Sequence, residues 1–242
     1  MSSKVYYKLA RPDGWDFYTG KTINYRESIG KVVKCPNGFN SDNKTSMLCT
    51  DRVIHASETP EQCFIGAKIP CSVYRVEGKS MCHDSDKHGF KELKVLEELQ
   101  PEKVFRWNYA EACNPVHPFK IKPPKITKKH KELLKQWTSI YASIYASICD
   151  SIYDSIYDSI CASICDSICG SIYDSIRGSI YAYTGYIFKD CVIDWKYTKH
   201  KKSEYPFQCC VDLWKAGLVP SYDGKVWRLH GGKDAKVLYK EQ

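Results

Sequence analysis

Several familiar signals are missing from this 242-residue sequence, and each absence narrows what the chain can be. No apolar run approaches the ~20 residues that a membrane-spanning helix needs. The opening MSSKVYYKLARPDG has no apolar core of the kind that directs secretion, so a cytoplasmic location is expected. Walker-type loops, G-x-G-x-x-G and G-x-S-x-G are absent, which removes the common phosphate cradles and the hydrolase elbow. Thirteen cysteines are present, yet none forms a C-x-x-C pair and Cys209-Cys210 are adjacent, so neither a zinc site nor an even disulfide framework is indicated. They read as reduced, partly buried small hydrophobes.

What is present looks globular: 43% hydrophobic and 26% charged residues, enough chain for one large domain or two small ones. The net charge of +8 is unevenly placed. Residues 139–182 hold five Asp against one Arg, so an acidic tract lies between basic ends. That arrangement suits an anionic partner, including nucleic acid, or docking of the ends of one copy on the tract of another.

Residues 1–100 read as a compact mixed α+β domain. KVYYKLA and WDFYTG are strand-like runs around the turn RPDG; KVVKC, RVIHAS and CSVYRVEG add strands, and FKELKVLEEL is a last strand or a short helix. Thr59-Pro60-Glu61-Gln62 predicts a capped helix over PEQCFIGA. Residues 101–130, with five prolines and many lysines, read as a linker or as chain draped over another surface. Residues 131–188 form a repeat spine that KELLKQW leads into with helical composition. Residues 189–242 read as a C-terminal module, with a helix over FQCCVDLWKAGL ending near Gly217 and a β-hairpin around Gly-Gly from Lys225 to Lys240.

The spine repeats Ser-Ile-x-x eleven times from Ser139 to Ala182. In an α-helix a four-residue step advances ~400°, so an Ile stripe drifts ~40° per repeat and a straight partner cannot follow it. A supercoil or a broken, folded-back helix could. A β-solenoid with one repeat per side would instead point Ile inward and place Asp, Ala, Gly and Ser at corners. Helix is favoured and solenoid is the close alternative. In either, the row Ile140, Ile144, Ile148, Ile152, Ile156, Ile160, Ile164, Ile168, Ile172, Ile176 and Ile180 needs neighbours to cover it, which suggests self-association.

The chain resembles a group of uncharacterised phage and bacterial proteins that join a small N-terminal domain, a Ser-Val/Ile-x-Asp/Ala tract and a module seen here as PFQCCVDLWKAGLVPSYDGKVWRLHGG. The resemblance implies a phage-related origin. VIHASETPEQCFIGA, residues 53–67, is similar to the second motif of the ADP-ribosyltransferase superfamily. That resemblance implies His55 and Ser57 beside a nicotinamide pocket, Arg11 as a basic anchor for NAD, and Glu97 or Glu98 as the acid that polarises the ribose. The chain departs from the family pattern there, because Glu97 and Glu98 are adjacent and Arg11 follows the first strand in a turn. Cys82, His83, Asp84, Asp86 and His88 offer metal-ligand types, but the loop reads as simply polar and no metal is expected.

Two functions remain. One is a non-enzymatic accessory or structural protein, without a cofactor, that associates with itself or a protein partner through the spine. The other is an NAD-using ADP-ribosyltransferase-like enzyme.

Overall fold

The computed structural model describes residues 4–38, 48, 50–144, 147, 170–190, 195, 198, 201 and 204–241, with side chains of 170–174 left aside. It divides into two compact units, Met1–Phe105 and Arg106–Gln242.

The first unit is mixed α+β. Strands β1 (Val5–Ala10), β2 (Val32–Lys34), β4 (Ser72–Glu77) and β7 (Glu92–Leu99) form an antiparallel sheet in the order β1-β4-β7-β2. Strand β4 is central and nearly all buried, which its Val-Tyr-x-Val run allows. FKELKVLEEL therefore resolves as a strand, β7. A second sheet runs β3-β6-β5, from β3 (Ile54–Ala56), β5 (Ser80–His83) and β6 (His88–Phe90). An antiparallel bridge between Tyr7 and Ser57 ties the end of β3 to β1. Tyr6, Tyr25, Ile54, Tyr74, Phe90 and Leu93 lie in one buried cluster. A short helix, α1 (Pro101–Val104), closes the unit.

Two expectations fail here for local reasons. WDFYTG is not a strand beyond a single bridge from Trp15 to Asn24, because the Asp16 side chain takes up the loop's own N–H groups. PEQCFIGA forms only a 3-10 turn, Glu61–Ile65, which ends at Gly66 before the cis Ile69-Pro70 bond. Thr59 does not cap it; its N–H and hydroxyl both donate to Gln62 Oε1.

The second unit packs helices against a three-stranded sheet. Residues of the Pro/Lys-rich stretch fold into α2 (Tyr109–Cys113) and a 3-10 turn, Pro118–Lys120. Trp107, Tyr109 and Phe119 are buried there, so this stretch is draped chain rather than free spacer. It is held by specific bonds: Val116 N–H donates to Tyr183 Oη at 2.7 Å, and Trp214 Nε1–H donates to Val116 O at 2.8 Å. Helix α3 (Lys128–Ile140) starts at Thr127, whose hydroxyl accepts from His130 N while His130 Nδ1 accepts from Thr127 N.

The described repeats are helical. Ser139 and Ile140 end α3, a 3-10 turn follows at Tyr141–Ser143, and α4 runs Gly170–Ile187. The β-solenoid alternative is not realised among the described residues. From residue 178 to 185 every position of α4 is buried, so the helix is enclosed and its drifting Ile stripe needs no straight partner. Helix α5 (Gln208–Lys215) packs against both α3 and α4. Its end is a Schellman motif: Gly217 has φ +77° and Leu218 N–H donates to Leu213 O at 2.9 Å. Strands β8 (Val219–Tyr222), β9 (Trp227–Gly231) and β10 (Lys236–Lys240) complete the sheet in the order β10-β9-β8. The expected hairpin is β9-β10, with Gly232 at φ +73° in its loop.

No helix among the described residues is long and apolar enough to cross a membrane.

A cavity around His55 and Ser57

Alternation along β3 sets up the site. Ile54 and Ala56 enter the buried cluster, so His55 between them points the other way. That face borders a cavity of about 380 Å³ in the first unit, lined in part by Lys8, Asp16, Tyr25, His55, Ser57 and Cys63. Strand β1 supplies Lys8, the Asp16–Tyr25 loop forms one wall, and the 3-10 turn supplies Cys63 and Ile65.

Each polar group has a definite state. Asp16 is 9% exposed; desolvation pushes its carboxyl up, but the N–H groups of Thr19, Thr22 and Ile23 and the Thr19 hydroxyl outweigh that and hold it below its ordinary value. Thr19 N donates to Oδ1 at 2.7 Å, Thr22 N to Oδ2 at 3.0 Å and Ile23 N to Oδ2 at 3.3 Å. Burial and the neighbouring Lys8 charge drive His55 down to about 4, so its ring is neutral near pH 7. Its Nε2 lies against Leu48 O; as that carbonyl only accepts, the ring proton sits on Nε2 and Nδ1 is the acceptor. Burial pushes the Cys63 thiol up to about 11, and its Sγ–H donates to Tyr7 O at 3.2 Å. Cys63 is therefore held as the thiol and not the thiolate near pH 7. Tyr25, 1% exposed, is likewise raised by burial and stays protonated.

Lys8 is half-buried, and desolvation lowers its ammonium below the ordinary lysine value. It forms no ion pair or hydrogen bond among the described residues; its Nζ lies 5.4 Å from the centroid of the Tyr25 ring.

Of the residues assigned by resemblance, the structure brings His55 and Ser57 together on this cavity and leaves the others elsewhere. Glu97 pairs with Arg75 on the neighbouring strand β4. Glu98 accepts two bonds from Arg26, at 2.7 Å from Nη2 and 3.0 Å from Nε, and its carboxyl is held down by them. Arg11 is exposed in its turn, with Nη2 3.5 Å from Asp13 Oδ2. The set implied for NAD thus does not converge: neither the anchor nor either acid lines the cavity. Lys8, Asp16 and Tyr25 do line it, and reading motifs missed them. The available signal was a lysine inside the otherwise apolar strand KVYYKLA.

In the second unit Ile144, Ile176 and Ile180 are fully buried in that unit's own core. Ile140 is half-buried. Ile148, Ile152, Ile156, Ile160, Ile164 and Ile168 lie outside the described residues, as does the side chain of Ile172. Side chains between Cys82 and His88 are engaged locally and with neighbours: Lys87 N donates to Asp84 Oδ1 at 2.8 Å, Ser85 Oγ donates to Asp86 Oδ2 at 2.7 Å, and His88 Nε2 is 3.0 Å from Glu58 Oε1. Among the described residues no group of three His, Cys, Asp or Glu gathers to hold a metal ion.

Compared with protein-family models, curated proteins and solved structures, the chain matches none.

Proposed function

We propose that this chain is a non-enzymatic accessory protein whose first unit binds a small molecule in the cavity bordered by His55 and Ser57. The observation that carries the reading is the convergence of Lys8, Tyr25, His55 and Ser57 on one cavity of about 380 Å³ with apolar walls, the size and chemistry of a ligand site. Its groups favour binding over reaction. Cys63 is a protonated thiol, the Asp16 carboxylate is occupied by its own loop, and Glu97 and Glu98 are engaged with arginines outside the cavity. Association with a second copy or a protein partner belongs to the same reading, through surfaces other than Ile144, Ile176 and Ile180, whose side chains are buried.

A fragment library screened by ligand-observed NMR on the full chain tests this, with a repeat on Thr22→Trp, which puts bulk at the exposed cavity rim. Hits that disappear in the variant are expected. A library with no hits, or hits that survive the variant unchanged, would count against the reading. In parallel, incubation with NAD should release no nicotinamide. Release that vanishes in the Glu97→Gln, Glu98→Gln double variant would favour the ADP-ribosyltransferase-like alternative instead.

A further inference from the structure

The ammonium of Lys8 is the group that the fold does not explain. It is half-buried, in a position where burial lowers its affinity for its proton, and it has neither an ion pair nor a hydrogen bond among the described residues. A charge taken from water is costly unless an opposite charge or a set of acceptors meets it. Asp16, an acid on the same cavity, favours the ammonium by its charge but makes no ion pair with it, and three backbone N–H groups and a hydroxyl occupy its two oxygens. Neutral His55 supplies no negative charge.

Tyr25 adds an independent observation. Its side chain is 1% exposed and borders the same cavity, so its phenol is fixed against the space where a ligand would lie. Lys8 Nζ lies 5.4 Å from its ring centroid, so the ammonium and the Tyr25 side chain border the same part of the cavity. Around the mouth, apolar surface stays in water: Tyr18 is 85% exposed and Ile65 is 52% exposed. A flat apolar body laid there would cover them.

We propose that the cavity takes a small organic anion, a carboxylate or phosphate monoester carried on a flat apolar body, with Lys8 as its counter-ion and Tyr25 as a hydrogen-bond donor to it. This rests on the reading of the cavity as a ligand site. Lys87 and Asp51 also line it, of opposite charge, and Asp51 accepts from Asn37 Nδ2 at 2.6 Å at the exposed end. The anion's place is therefore beside Lys8, with the apolar body directed to Tyr18 and Ile65.

Saturation-transfer NMR on the full chain with phenyl phosphate, benzoate, neutral benzamide and cationic benzylamine provides the test. Phenyl phosphate or benzoate should bind about tenfold or more tightly than benzamide, a difference of about 1.4 kcal/mol. Whichever of the two anions is tighter identifies the headgroup. Lys8→Met should bring the anions to the benzamide level and leave benzamide within twofold, while Lys8→Arg keeps the preference. Tyr25→Phe, which removes only the hydroxyl, guards against a Lys8→Met variant that fails to fold; it should weaken the anions and leave benzamide unchanged. Benzamide or benzylamine binding as tightly as the anions would overturn the anion assignment and leave the ligand-site reading standing. Anion binding indifferent to both variants would overturn the assignment to Lys8 and Tyr25. If none of the four compounds bound while the fragment library gave hits that Thr22→Trp abolishes, this proposal would fall and the ligand-site reading would stand; if the library gave none either, both would fall.

Discussion

At the scale of single residues, the Asp16 carboxylate gathers the N–H groups of Thr19, Thr22 and Ile23 and so shapes the loop that walls the cavity. Hydrogen bonds to a charged acceptor contribute about 1.5–3 kcal/mol each before neighbours compensate, so Asp16→Ala should destabilise the first unit by about 2 kcal/mol or more. Asp16→Asn gives the sign with pH. The folded carboxyl titrates below its ordinary 3.8, so its charge stabilises the fold above that pH, and the contribution is lost as pH falls through the lower folded value. In chemical denaturation the gap between wild type and Asp16→Asn should be wide at pH 6 and narrow as pH falls below 3.8. A gap that stays constant would mean that the carboxylate charge does not hold the loop. The same residue shows why part of the cavity was not legible in the sequence. WDFYTG has the aromatic content of a strand, and only the side-chain capture of three later N–H groups decides that it is not one. Lys8 was hidden for the opposite reason: its strand was plain, but one sequence cannot show that its ammonium finds no partner.

At the scale of elements, α4 explains a detail of the repeat that periodicity leaves open. The fourth position of each repeat is Asp, Ala or Gly, and at Gly178 the Tyr141 ring lies where a Cβ would stand. Tyr141 in turn meets Trp137 at 5.4 Å and Trp227 at 5.0 Å between ring centroids, both edge-on, so the ring has little freedom to retreat. Gly178→Asp, although it restores the commonest residue of that position, should therefore destabilise the second unit by about 1–3 kcal/mol, through overpacking. Thermal unfolding followed by tryptophan fluorescence is a direct measure; an unchanged midpoint would show that the ring moves aside freely. Helix was the favoured expectation for these repeats because the lead-in is helical in composition and turn residues do not recur in every repeat, with only two glycines in the tract. What the pattern could not reveal was the remedy for the stripe in the described repeats of α4, which is enclosure by α2, α5 and β8. The strands β1, β4 and β9-β10 were legible because alternation and turn residues are local signals. The short 3-10 turn at Glu61–Ile65 was over-read as a helix because its capping residues are present and the chain stops at Gly66.

At the scale of the whole molecule, the chain builds two units with their own cores. The second buries Trp137, Tyr183, Phe207 and Trp214 beside Ile144, Ile176 and Ile180, while the first carries the cavity. Ile176→Ser removes a fully buried side chain and leaves a hydroxyl in its place, so it should cost about 2–5 kcal/mol of stability. Light scattering should find the same mass per particle for this variant as for wild type, at a temperature where both are folded. A lower mass with unchanged stability would instead make Ile176 an association contact.

The most direct test of the central claim, that the first unit's cavity is a ligand site and not a catalytic one, is chemical-shift mapping with the tightest fragment from the screen. The account predicts backbone amide shifts confined to β1 about Lys8, the Asp16–Tyr25 loop, β3 and the 3-10 turn, with Glu97 and Glu98 silent. Shifts centred on Glu97, Glu98 and Arg11, or spread over the second unit, would contradict it.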